Sequence, residues 1–496
     1  MPLPVDDVTN VSTILLFVAI GLALTFEFVN GFHDTANAVA TVIYTHTLNP
    51  FVAVVWSGLW NLIGALTSSG AVAFGVIALL PMDLVLNVGS AAGVATVFAL
   101  LIAAIMWNLG TWYLGLPASS SHALIGSIMG VGLANSLMAP GLAIGEGVNW
   151  SKASEVGLAL IISPIVGFCA AALLLLLMKV FIRRPELYRP PDLDKPPPFW
   201  IRSLLVVTCT GVSFAHGSND GQKGMGLIML ILIGLLPATY ALRLTTSDAQ
   251  LQELLGSAQA ASALVDQRTG GVTMAGGRAR EQLATFLKRG AVAGPETYAA
   301  LASEIQLVAE KLGAVKSLSQ LAPDVRSSLR RSIYLIAESI GKLDSSQQLT
   351  DPGERSTLLG FRAKLDGLTK FIPDWVKYAV ALALGLGTMV GWKRVVVTVG
   401  ERIGKEKLTY AQGASAQLVA MTTIGAADVL GLPVSTTHVL SSGVAGTMAA
   451  NRSGLQIKTL RNLVLAWVLT LPVCVLLGAG LFAFGLYLLL NVFGLH

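Results

Sequence analysis

Charge is scarce in this chain of 496 residues. Asp, Glu, Lys and Arg make up 12% of it, against about 25% in a typical soluble domain, and no Lys or Arg precedes Lys152. That scarcity excludes an ordinary soluble enzyme. Cysteine is scarcer still: Cys169, Cys209 and Cys474 lie far apart in apolar runs, which excludes a disulfide framework or cysteine metal site and predicts small buried thiols. No cationic stretch precedes the first apolar run, only Asp6 and Asp7, so a retained membrane helix is expected rather than a cleaved leader. The net charge of +5 is scattered over loops and one polar insert. It gives no grip on a nucleic acid.

What the chain has instead is apolar length. Hydrophobic residues are 54% of it and the mean hydropathy is +0.69. Runs of about 20 apolar residues suit a hydrocarbon core of about 30 Å. They fall at residues 12–29, 51–80, 91–114, 118–134, 156–181, 201–241, 375–392, 410–430, 434–450 and 462–493. Several are long enough to tilt, break or double back, so about 10–12 transmembrane segments are expected.

Two polar passages occur twice among these runs. Asn30-Gly31-Phe32-His33-Asp34-Thr35-Ala36-Asn37 has a weak partner in His216-Gly217-Ser218-Asn219-Asp220-Gly221-Gln222-Lys223. Gly115-Leu116-Pro117-Ala118-Ser119-Ser120-Ser121-His122 has a strong one in Gly431-Leu432-Pro433-Val434-Ser435-Thr436-Thr437-His438, with five of eight positions identical and two exchanging Ser for Thr. Asp34 and Pro117 are 83 positions apart, Asp220 and Pro433 are 213 apart, and the excess matches one polar stretch, 243–373. Removing that stretch brings the copies into register. Polar groups interrupting two matched membrane repeats are a transporter signature, since an ionised carboxylate costs roughly 2.5–3.5 kcal/mol at the membrane centre.

The organisation read from this is a first membrane repeat at 1–182, a basic Pro-rich linker at 183–200, and the start of the second repeat at 201–242. A soluble helical insert follows at 243–373 and the rest of the second repeat at 374–496. The linker holds Arg183, Arg184, Arg189, Lys195 and the run Pro196, Pro197 and Pro198. Short basic loops stay cytoplasmic, which puts the linker and 393–407 inside. Five crossings before the linker then make the second copy upside-down relative to the first. The fold class expected is an all-α polytopic membrane protein of two inverted repeats with broken or re-entrant helices. In the insert, residues 332–340 show helical apolar spacing, with breaks at Gly270-Gly271 and Asp351-Pro352-Gly353.

The repeated residues carry definite chemistry. Ser119, Ser120 and Ser121, like Ser435, Thr436 and Thr437, follow a Pro and open an apolar helical run. Unpartnered leading amides, hydroxyls and the positive helix end suit an oxyanion. Ordinary capping is the alternative. Asp34 and Asp220 fit an anion carrier as holders of the coupling cation. Asn37 offers an amide oxygen one turn after Asp34, where the second copy has Lys223, an ammonium able to replace a cation or to form a structural ion pair. Asn219 and His33 adjoin the two carboxylates. Glu27, two turns before Asp34, is a further proton site or a partner that orients the Asp34 region. His33, His122, His216 and His438 recur near the breaks as proton carriers or packing groups.

At these residues the chain closely resembles the inorganic phosphate transporter (Pit) family, specifically its bacterial low-affinity members. The motifs concerned are residues 31–38, 115–122, 217–220 and 431–438. The resemblance implies an inner-membrane phosphate symporter without a resident cofactor, an inverted-repeat fold and a possible homodimer. It also implies that a divalent metal could travel with hydrogen phosphate as a neutral complex. The family motif has the form Gly-x-Asn-Asp-Val-x-Asn. Here His33 replaces the first Asn in one copy, and Gly221-Gln222-Lys223 departs from it in the other. Those departures favour a proton over sodium as coupling ion. Sodium coupling and another oxyanion, such as sulfate, stay open as alternatives. An intramembrane Ser–His hydrolase fits poorly, because neighbouring helical residues such as Ser121 and His122 point about 100° apart.

Overall fold

The computed structural model describes residues 10–80, 84, 89–138, 144–146, 148–191, 197–289, 292–492 and 494. Asp6, Asp7, Lys195 and Pro196 lie outside them. The described chain is helical, with only an isolated bridge between Gly404 and Leu455 in place of any strand. It divides into two units, one comprising residues up to Ile231 and from Ile372 onward, the other Leu232–Phe371.

The first half of the larger unit runs through α1 (Asn10–Asp34), α2 (Ala36–Tyr44), α3 (Pro50–Thr67), α4 (Ala71–Ile77), α5 (Ala91–Tyr113), α6 (Ser120–Met138) and α7 (Trp150–Phe181). Then comes α8 (Phe199–Leu235), whose 37 residues span roughly 55 Å at 1.5 Å per residue. The smaller unit contains α9 (Pro237–Tyr240), α10 (Asp248–Asp266), α11 (Gly276–Arg289), α12 (Pro295–Gly313), α13 (Pro323–Ser345) and α14 (Pro352–Thr369). The larger unit resumes with α15 (Asp374–Met389), α16 (Lys393–Glu401), α17 (Tyr410–Val429), α18 (Thr436–Asn451) and α19 (Ile457–Tyr487).

Seven described helices are long and apolar enough to cross a membrane, or eight if α15 and α16, bent by 63°, cross as one. That is fewer than the ten to twelve expected. The apolar run 51–80 breaks at Ser68–Gly70 into α3 and a seven-residue α4. In the second half α18 has only 16 residues, and α17 carries Gln412, Gln417 and Asp428. Such segments are too short or too polar to cross a hydrocarbon core alone. The outer faces of α7 and α19 expose large apolar side chains, among them Leu158, Ile161, Ile165, Leu465, Val468 and Leu476. A surface of that kind belongs in lipid: the chain is a multi-pass membrane protein. Cys169 also lies exposed on α7, unlike the buried Cys209 and Cys474. In a lipid-facing position an apolar thiol needs no burial in protein.

The halves exchange partners in a matched way. Helix α6 of the first half packs along α19 of the second, and α18 of the second packs along α7 of the first. Likewise α19 lies against α5, and α7 against α17. Helices α7 and α19 each carry an internal proline, Pro164 and Pro472. The Asp-bearing helices are clamped by glycines at equivalent places. A Cβ on Gly31 would run into the Leu384 and Thr388 backbone of α15, and one on Gly217 into the Asn61 backbone of α3. Close backbone approach through small residues is how membrane helices gain dispersion energy without a hydrophobic drive.

The polar passages differ in what they do to the backbone. At Thr35 the helix is interrupted for a single residue between α1 and α2, still in the right-handed helical conformation, with its hydroxyl bonded to the Gly31 and Thr388 carbonyls at 2.7 and 2.9 Å. Helix α8, by contrast, passes through Asp220 unbroken, because its polar side chains find partners on facing helices. The full breaks lie at the Pro-centred passages. There Gly115 (φ 67°) and Gly431 (φ 66°) end α5 and α17 in the left-handed conformation that suits glycine.

In the smaller unit Ser247 and Gln250 close a capping box at the start of α10. Gly270 and Gly271 separate α10 from α11, and Asp351 caps α14. Arg330 donates to the carbonyls of Ala241 and Thr369 at 2.8 and 3.0 Å. Its burial pulls the guanidinium down to about 10.

Candidate functional site

The two Pro-centred loops meet. Ser121 Oγ of the first donates to the Val434 carbonyl of the second at 2.8 Å, so the starts of α6 and α18 converge on common ground. Within each triplet the roles divide. Ser119 and Ser435 cap, accepting the His122 and His438 amides at 3.2 and 3.1 Å. Capping therefore accounts for the first member only. Ser120, Thr436 and Thr437 face inward, and their shared target is Asp34.

Asp34 is a hub. Its Oδ1 accepts Thr437 Oγ1 at 2.6 Å and lies 3.1 Å from His33 Nδ1. Its Oδ2 accepts Ser120 Oγ at 3.1 Å and Thr436 Oγ1 at 3.5 Å. One carboxylate thus takes hydroxyls from both helix starts, and these are the donors that the sequence assigns to an oxyanion. Ser120 shares its one hydroxyl proton between Asp34 and Asn30 Oδ1, which lies at 2.6 Å. Asn37 points its amide nitrogen at Thr437 and Thr436, at 3.0 and 3.4 Å. Its oxygen has no hydrogen-bond partner.

Asp220 is placed alongside but is differently served. Lys223 Nζ lies 2.8 Å from its Oδ1 and donates to Ser121 Oγ at 2.5 Å. The ammonium therefore ties the second carboxylate to the first helix start. Asn219 turns its amide nitrogen to the Leu432 carbonyl at 3.1 Å. Glu27 lies between the copies. It is fully buried against Gly224 and faces Asp220 and Lys223 of the second copy and Asn30 of the first. Two turns of α1 carry its side chain onto the face that α8 covers.

His216, one of the histidines that recur near the breaks, joins the two copies. Its Nε2 is 3.6 Å from Asp34 Oδ2 and 3.6 Å from Asp220 Oδ2, while Nδ1 is held by Asn61 Oδ1 at 2.9 Å. Asn61 in turn donates to Thr388 at 2.9 Å. Asp34, His216 and Asp220 each offer a ligand atom within 4.8 Å of the others, all buried. The unpaired His216 Nε2 and the Asp34 and Asp220 oxygens around it form a donor set that fits a cation. Asn61 was legible only as an isolated polar residue in an apolar run, and Asn30 only as the opening of the first polar passage; both prove to hold the cluster in place.

His122 and His438 come together with each other. Their rings stack with centroids 4.7 Å apart, and His438 lies 4.3 Å from the Trp467 ring. They form a layer behind the helix starts. His33 instead joins the hub, held on its far side by Thr111 at 3.0 Å.

Comparison with known proteins fits this geometry. The profile of the phosphate transporter family matches residues 30–478. The chain belongs to that family. It is 42% identical to the low-affinity inorganic phosphate transporter PitA of Escherichia coli K12 over 483 residues, covering 95% of this chain and 96% of that one. It is 40% identical to PitB of the same organism, covering 96% and 97%. A solved structure described as the sodium-dependent phosphate transporter is 18% identical with a TM-score of 0.51, covering 95% of this chain and 98% of that one. At that identity the likeness is one of fold.

Proposed function

We propose that this family member is a low-affinity inorganic phosphate symporter of the cell inner membrane, driven by protons. The observation that carries the reading is the Asp34 carboxylate bound by Ser120 and Thr437 at once. While Asp34 is ionised it occupies the hydroxyls. A proton on Asp34 removes the charge that holds them, and they turn to a phosphate oxygen between the two helix starts. The ionised carboxylate and the phosphate then compete for one set of donors, so protonation of Asp34 and binding of phosphate favour each other. Charge balance supports the coupling. Three carboxyl groups, Glu27, Asp34 and Asp220, and one ammonium already stand buried here, and each further unpaired charge costs several kcal/mol. A phosphate dianion therefore needs positive charge to come with it.

The Asp34, His216 and Asp220 arrangement favours a second form of the same reading. A divalent ion meeting these three groups while its phosphate meets the hydroxyls would cross as a neutral complex, adding no net charge to the site. The exchanged packing of α6 on α19 and α18 on α7 supports repeats of opposite orientation in the membrane, as alternating access between two faces requires.

Uptake of labelled phosphate into proteoliposomes tests the function, with the pH gradient, the sodium gradient and divalent metals varied separately. Uptake driven by the pH gradient alone is the expected result. Full competition by sulfate would make the carrier one for oxyanions in general, and uptake that needs sodium would overturn proton coupling.

A further inference from the structure

We propose a second anion site, apart from the Asp34 cluster, at the bend between α15 and α16, where the protein takes up a phosphate-bearing group. A cavity of about 610 Å³ opens there, with Trp112, Tyr113, Trp392, Lys393, Arg394 and Arg402 in its walls. The walls are braced. Arg394 lies over the Tyr113 and Trp112 rings, 4.9 and 5.3 Å from their centroids, and donates to the Tyr113 carbonyl at 2.9 Å. Trp112 Nε1 donates to the Gly391 carbonyl across the bend at 2.8 Å.

The charge is unanswered. None of Lys393, Arg394 and Arg402 forms an ion pair among the described residues. Glu401, on the same helix, is turned to the Tyr44 hydroxyl. The start of α16 adds leading amides, since no side chain caps it. Three cations, a helix start and aromatic rings around one cavity are donors for phosphate oxygens.

The repeat does not dictate this pocket. Trp112 stands three residues before Gly115; the residue three before Gly431 is Asp428. There the carboxylate accepts Ser218 Oγ and Gln222 Nε2, each at 2.6 Å. One half has built an anion pocket where the other has placed an anion. The cavity lies within the roughly 300–1,000 Å³ range of organic ligands, more room than inorganic phosphate needs. Basic residues mixed with Trp and Tyr at the end of a span are also how a membrane protein holds a lipid headgroup. An anionic phospholipid is therefore the favoured source of the phosphate group, and free phosphate the other.

The test uses the full chain in nanodiscs. The double variant Lys393→Gln with Arg402→Gln removes two charges and spares the stacking of Arg394. Arg402→Gln alone, which alters no side-chain hydrogen bond among the described residues, carries the same test if the double variant is unstable. Native mass spectrometry counts phosphatidylglycerol retained by the protein against phosphatidylcholine, and calorimetry counts inorganic phosphate bound in phosphatidylcholine discs. We expect saturable retention of phosphatidylglycerol by the wild type, weakened tenfold or more in the variant, with phosphate stoichiometry unchanged. Loss of one phosphate equivalent with phosphatidylglycerol retention unchanged would assign the same site to free phosphate. Equal binding of both by wild type and variant overturns the site.

Discussion

Lys223 Nζ lies 2.8 Å from Asp220 Oδ1. At the matching place beside Asp34 stands Asn37, whose amide nitrogen serves Thr437 and whose oxygen is left without a partner. Matched carboxylates are thus unequally furnished: one carries a built-in cation, the other only hydroxyls and imidazoles. On the proposed function, this asymmetry makes Asp34 the carboxylate expected to change charge and Asp220 the fixed one.

Asp34→Asn tests that assignment. The amide oxygen can still accept from Thr437 and Ser120, so the site keeps its shape while losing its titratable group. Uptake driven by an imposed pH gradient should vanish, whereas phosphate binding at equilibrium should persist. Proton-driven uptake at the wild-type rate in this variant would remove Asp34 from the coupling.

The hydroxyls should not be equal. Thr437 and Ser120 reach Asp34 at 2.6 and 3.1 Å, Thr436 only at 3.5 Å, and Ser119 is spent on capping. A lost hydrogen bond to a charged group costs about 1.5–3 kcal/mol. Thr437→Ala and Ser120→Ala should therefore weaken phosphate tenfold or more by calorimetry, and Thr436→Ala less. The reverse ranking would mean that phosphate sits nearer Thr436 than the hub does.

The hub was partly legible in the sequence. The matched Ser and Thr triplets announced two helix starts, and their pairing with Asp34 follows from polar groups seeking partners inside an apolar bundle. What the motifs could not show is which copy each side chain serves. Glu27, read as a proton site or a partner of the Asp34 region, faces Asp220 and Lys223 of the other copy as well as Asn30. The link through His216 depends on Asn61 holding its ring, and nothing local ties residue 61 to residue 216. Seven or eight described helices qualify as spans where ten to twelve were expected, because the runs at 410–430 and 434–450 fold into a helix carrying Gln412, Gln417 and Asp428 and a helix of only 16 residues.

His216 offers its Nε2 to both carboxylates at 3.6 Å. If the three groups take a divalent ion, His216→Ala removes the one nitrogen ligand. Equilibrium dialysis with manganese should then show affinity reduced tenfold or more, comparable to the loss when a metal site's supporting groups are removed. Unchanged manganese affinity would leave His216 as a structural bridge.

Gly31 and Gly217 should be intolerant of a single methyl group. Each presses on backbone of the other half rather than on a side chain that could swing aside. Overpacking in a fixed core costs about 1–3 kcal/mol or more, so Gly217→Ala should lower the thermal midpoint of the membrane unit. Gly110→Ala, where a Cβ meets nothing within 4 Å, is the matched control. Equal midpoints for the two variants would mean that the clamp between α3 and α8 yields easily.

Lys223→Asn is the sharpest test of the coupling ion. The substitution restores the asparagine of the family motif and strips Asp220 of its nearest cation. A buried carboxylate left alone is strongly destabilising, by about 3–5 kcal/mol when one partner of a pair is removed. The site must then recruit a cation from solution or fail. Oxygens of Asp220, Asn219 and the new asparagine would suit a hard cation, so uptake without a pH gradient should acquire partial dependence on sodium. The readout is the sodium-stimulated fraction of proteoliposome uptake, with potassium as the control ion. A folded variant indifferent to sodium would show that Lys223 serves chiefly to tie Asp220 to Ser121. A wild type that requires sodium and ignores an imposed pH gradient would overturn the proton-coupled reading itself.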